Sequence, residues 1–161
     1  MFEQTVHMSR RARMLIIALG AVVFAAAVLP LFFVREDTLS VWGSVITGSA
    51  ILAVLFAILW PFTVLRVRVD TRSLTVGFGL LKERVMLEQI VSCQKAAYRW
   101  QDWGGWGIRL KPGSKLYNVA GDGGVAVQVN LENGRRILFS STDPDAVCRA
   151  LTRRRPEIEQ L

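Results

Sequence analysis

Two long stretches of this sequence carry no charge, and they constrain its fold more than anything else in it. No acidic or basic residue occurs from Met14 to Val34, and after Arg35, Glu36 and Asp37 a second such run extends from Thr38 to Leu65. As helices rising 1.5 Å per residue, both are long enough for a hydrocarbon layer of about 30 Å. A buried core helix accounts for one apolar run, whereas two in tandem around a short charged loop predict a transmembrane helical hairpin. Trp42 and Trp60 flank the most apolar part of the second run, where indole rings favour the headgroup layer. Ser44 with Gly48, and Ser49 with Ala53, place small residues four apart. That spacing permits close packing, either of one span on the other or between copies in a homo-oligomer. A charge-free interior argues against an ion or proton pathway.

Basic residues set the expected orientation. Arg10, Arg11 and Arg13 precede the first run, and Arg66, Arg68 and Arg72 follow the second. The positive-inside rule then puts both termini in the cytoplasm of a multi-pass plasma-membrane protein. A cleavable leader ending near Ala25 and Ala27 is the rival reading, but the apolar run continues past that point. The expected organisation is a basic N-terminus over 1–13, spans over 14–34 and 41–64 with an external loop over 35–40, a β domain over 65–154, and a tail over 155–161. Cys93 and Cys148 have no metal-ligand spacing, and in a cytoplasmic domain they are expected to stay reduced.

Beyond residue 65 the pattern changes to alternation. Leu65, Val67 and Val69 share one parity against Arg66, Arg68 and Asp70, and after "DTRS" the pattern returns in Leu74, Val76 and Phe78. That is the period of half-buried strands in a hairpin, and "LKERVML" continues it as a third strand. Val125, Val127, Val129 and Leu131 alternate likewise, "ENGR" supplies an Asn-Gly turn, and Ile137 and Phe139 return on the facing strand. The period then becomes helical. Asp143 is placed to cap, Pro144 suits the first helical position, and Val147, Ala150 and Leu151 recur at helical spacing.

Short strands closed by one helix, tethered directly after a membrane segment, resemble bacterial membrane proteins carrying a pleckstrin-homology-like (PH-like) domain. The resemblance rests on "VMLEQIVSCQKA", "WGGWGIRL" and "GVAVQVNLENGRRILFSSTDPDAVCRAL". It implies a bent, partly open antiparallel barrel plugged by a C-terminal helix, and the role of a scaffold or interaction module. The basic loop with which eukaryotic relatives read inositol lipids is absent, since Arg72 stands alone in "DTRSL".

The most unusual segment is "YRWQDWGGWGIRLK", Tyr98 to Lys111, with three tryptophans among three basic residues and one acid. Read as a strand from Gly105 to Leu110, it directs Trp106, Ile108 and Leu110 into the core and Arg109 outward. Trp100 and Trp103 precede the strand and are candidates for exposure. Together with Arg99, Arg109, Lys111 and Lys115 they form a candidate contact surface, for a protein partner through aromatic and Arg anchors or for anionic lipid headgroups. Residues 66–161 hold 16 Lys or Arg and 10 Asp or Glu, a net +6, which suits either.

Catalysis is poorly served. The one histidine, His7, precedes the first apolar run, and no nucleophile–base pair, metal motif or dinucleotide fingerprint occurs. "GDGGV" over 121–125 lacks the Lys-Ser and helix of a phosphate loop, and a tight turn explains it. No cofactor is expected, and no nucleic-acid-binding motif accompanies the basic charge. The function expected is that of a membrane-anchored scaffold recruiting a protein partner, with direct lipid binding as the alternative.

Overall fold

The computed structural model describes residues 2–28 and 38–160. Residues 35–37 of the expected loop lie outside them, as do the side chains of Ala27, Trp42 and Ser44. The chain divides into two units, Met1–Ser9 with Phe62–Leu161, and Arg10–Pro61. The second unit consists of α1 (Arg10–Val28) and α2 (Thr38–Leu59), which pack on each other. The α2 side chains Ile46, Ile51, Val54 and Leu55 are all about half exposed or more.

The first unit is built on two sheets. In one, β1 (Phe2–His7), β2 (Val64–Val69), β3 (Ser73–Phe78) and β4 (Leu81–Met86) follow in order, all antiparallel. The other contains β5 (Ile90–Ala97), β6 (Gly107–Lys111), β7 (Ser114–Asn118), β8 (Val125–Leu131), β9 (Arg136–Ser140) and β10 (Glu159–Gln160), in the order β10-β5-β8-β9-β7-β6. Alternation decides which side chains are inward. Leu65, Val67 and Val69, then Leu74, Val76 and Phe78, share one core cluster with Val127, Val129, Ile137, Phe139 and Tyr117. α3 (Pro144–Arg154) closes it with Val147, Cys148 and Leu151. Its N-terminus is fixed by Asp143, whose carboxylate accepts the Ala146 amide at 2.9 Å.

This arrangement overturns the expected fold class. The predicted order was a two-helix transmembrane hairpin followed by a β domain. Instead β1 lies before both helices and pairs with β2 after them, so the helices interrupt a sheet. Alternation is visible in "FEQTVH", and Val6 at 2 % exposure anchors β1 in the core. A bent barrel does not form either. Among the described residues no strand of one sheet pairs with the other, and β7–β9 and β10–β5 run parallel. The 3-10 turn Leu87–Gln89 carries the chain from β4 into the second sheet without pairing β4 to β5.

The multi-pass plasma-membrane placement with both termini cytoplasmic is corrected with it. Among the described residues one segment, Val45–Thr63, is long and apolar enough to cross a membrane, and of its residues only Thr63 at the end is buried within the protein. In α1 three of the first four residues are arginines, and residues 29–34 of the expected first span lie outside the described residues. The cysteines also depart from expectation. Cys93 of β5 and Cys148 of α3 form a disulfide across a sequence separation of 55, a pairing created by packing a helix on a sheet and invisible to any search for local spacing.

Candidate functional site

The aromatic segment folds as a 3-10 turn, Trp100–Trp103, leading into β6. Gly104 at φ 72° and Gly105 at φ 123° end the turn in backbone conformations that only glycine adopts readily. Gly105 is further constrained from outside: a Cβ there would lie 2.8 Å from the Arg109 guanidinium, and its carbonyl accepts from Asn118 Nδ2 at 3.4 Å.

Gly107, at φ 96°, breaks the strand parity that the sequence suggests. β6 starts there, so Trp106 stays outside the strand and is 45 % exposed rather than core. Trp106 stacks on Trp100, itself 42 % exposed, with ring centroids 4.6 Å apart. Trp103 is half-buried beneath Lys111, whose ammonium sits 4.7 Å from its ring centroid. Leu110 was expected inward but is 74 % exposed, because β6 is the edge of its sheet.

The six candidate residues therefore separate. Arg99 and Trp100 are exposed, and Lys111 is exposed over Trp103. Arg109 is half-buried against Gly105, its Nε buried without a hydrogen-bond partner. Lys115 belongs to the inner face, where it pairs with Glu83 at 2.8 Å and lies over the Tyr117 ring. Burial works to raise the Glu83 pKa, but hydrogen bonds from Lys115 and Tyr117 outweigh it and hold the carboxyl below its ordinary value. Burial and the Glu83 acceptor push Tyr117 up, so its hydroxyl stays a donor.

A polar cluster braces the other side of the turn. Asp122 accepts hydroxyl hydrogen bonds from Tyr98 and Ser140, and its second oxygen accepts the Gly124 amide at 3.0 Å. Burial, reinforced by Asp122, raises the Tyr98 pKa and keeps that donor protonated. The "GDGGV" loop is thus held by its own carboxylate, which accepts from one loop amide and from two hydroxyls outside the loop. His7 lies in β1 opposite Val64. Among the described residues no group of three or more His, Cys, Asp or Glu is placed to hold a metal ion.

The backbone register fixes where this surface lies in the β unit. His7 pairs with Val64, Leu65 with Phe78, and Phe78 with Leu81. Residues 9 and 62, where the chain departs for the helices and returns, thus share one end of the first sheet with the β3–β4 turn. A Cβ on Gly107 would lie 3.7 Å from the Phe62 ring, and the Ser9 amide donates to the Ala120 carbonyl at 3.0 Å. The start of β6, with Trp106 and Trp100, belongs to that same end.

No protein family, curated protein or solved structure matches this chain. The site has to be interpreted from its own chemistry. Its signal in the sequence was the density of tryptophan; what parity missed was Trp106, and what composition missed was the exposed pair Leu80 and Leu81, at 99 % and 55 %.

Proposed function

We propose that this chain is a membrane-attached interaction protein, whose apolar segment Val45–Thr63 is held in a bilayer and whose β unit meets the anionic headgroups through Arg99, Trp100 and Trp106. The observation that carries the reading is the half-exposed Trp100–Trp106 stack at the end of the β unit from which the chain leaves for the helices. Indoles partition to the headgroup layer, and each basic residue near an anionic surface contributes about 1 kcal/mol. The apolar side chains of α2, uncovered by the protein itself, need an apolar medium.

Recruitment of a protein partner is the second reading, supported by a different feature. β10 covers one edge of the second sheet, whereas β6 at the other edge has no strand beside it among the described residues and exposes Leu110 and Lys111. Such an edge accepts an added strand. A photoreactive residue at position 100 of the full chain, activated in native membranes, tests both. Lipid adducts are the expected result. Protein adducts alone would transfer the function to recruitment, and no adducts at all would refute contact by this face.

A further inference from the structure

The β3–β4 turn is the most apolar exposed feature of the β unit that the foregoing reading does not use. Phe78 pairs with Leu81, leaving Gly79 and Leu80 as a two-residue turn. Gly79 at φ 50° supplies the positive φ that the first central position of a type II′ hairpin turn requires. Gly77 fixes the strands beneath it: a Cβ there would overlap the Leu81 carbonyl, so only glycine lets β4 close so tightly on β3. Leu80 is consequently held out by a rigid hairpin, 99 % exposed, with Leu81 beside it at 55 %. Holding two leucines in water at a fixed tip has no packing rationale within the unit.

Its surroundings indicate what covers it. The turn shares an end of the β unit with Trp100 and Trp106 and with residues 9 and 62, where the helical unit joins. Lys82 and Arg99 are exposed and adjoin the two apolar elements in sequence, against one exposed acid, Asp102, within the tryptophan segment. Apolar tips flanked by basic residues match a surface that is apolar beneath and anionic at its rim. We propose that the Leu80–Leu81 turn inserts into the acyl boundary of an anionic bilayer, giving the β unit a second lipid contact beside the tryptophan pair and fixing its orientation on the membrane. This rests on the bilayer-facing reading above, which Trp100 tests separately.

The experiment is spin labelling of the full chain at L80C, with E132C in the β8–β9 turn as the distant exposed control, in bilayers of mixed anionic and zwitterionic lipid. Cys93 and Cys148 are bonded to each other, so the label goes to the introduced thiol. Leu80 makes no buried contact, and its replacement leaves the fold intact. In the bilayer, oxygen access at 80 is expected to be high and access of a nickel chelate roughly tenfold below that at 132, as for any site sheltered from polar solutes by acyl chains. Equal chelate access at 80 and 132 would overturn the proposal. Low access of both oxygen and chelate at 80 would also overturn it, because that signals cover by protein, a second copy included. If position 100 gives lipid adducts while 80 stays open to the chelate, the turn proposal fails alone; if neither meets lipid, the bilayer-facing reading fails with it.

Discussion

Severing the link between Cys93 and Cys148 should cost the β unit a large part of its stability. The two half-cystines are 0 % and 2 % exposed and join β5 to α3 across 55 residues. A cross-link of that span removes about 14 cal/mol/K from the unfolded chain, or about 4 kcal/mol at 25 °C, on the chain-entropy account. For a unit of this size that corresponds to roughly 15 °C or more in Tm. The assay is thermal unfolding of the intact, detergent-solubilised chain, unreduced, reduced, and as C93A/C148A. Reduction should lower the Tm of the native sequence to near that of the double variant, and reductant should leave the double variant unchanged. Two titratable thiols in the unreduced, denatured protein, or a Tm insensitive to reductant after those thiols are shown to be free, would refute the argument.

Other consequences follow from single contacts. Glu83 accepts from Tyr117, Lys115 and Arg135 and has a lowered pKa, so its contribution is present above the ordinary glutamate range and is lost as pH falls through its depressed folded value. Urea midpoints should therefore drop below about pH 4.5, and Glu83→Gln should flatten that dependence while costing about 1–3 kcal/mol at neutral pH. Gly77→Ala should destabilise by at least about 2 kcal/mol, since the overlap is with backbone of β4 that has no rotamer to change; Ala at the open Gly20, read by the same denaturation, is the control. Asp143→Ala removes the cap on Ala146 N and should cost about 1 kcal/mol, whereas Asp143→Asn should retain most of it.

Much of the strand pattern was legible because period 2 is a local property. The hairpin of β8 and β9 follows from its valines and "ENGR", and α3 from Asp143, Pro144 and its apolar spacing. What depends on distant partners was not. "FEQTVH" alternates as plainly as β2 does, yet beside three arginines and an apolar run it reads as a flank, and only β2, nearly sixty residues on, makes it a strand. The disulfide is hidden for the same reason. Trp106 and Leu110 failed differently: parity assigns a side, but the positive φ of Gly107 detaches Trp106 from the strand, and an edge position leaves Leu110 uncovered on the inward side. Of the candidate surface, Arg99 and Trp100 are exposed as the sequence suggested, while Arg109 and Lys115 are engaged by Gly105 and Glu83, groups whose proximity no linear spacing announces.

The placement of β1 also bears on how the protein is made. β2, β3 and β4 are consecutive and joined by short turns, so their pairing involves only local contacts and can proceed quickly once Val64 to Met86 have left the ribosome. β1 emerges first but has nothing to pair with until the whole helical insert and β2 have been synthesised. The first sheet therefore depends on residues that spend the synthesis of the insert as an unpaired strand.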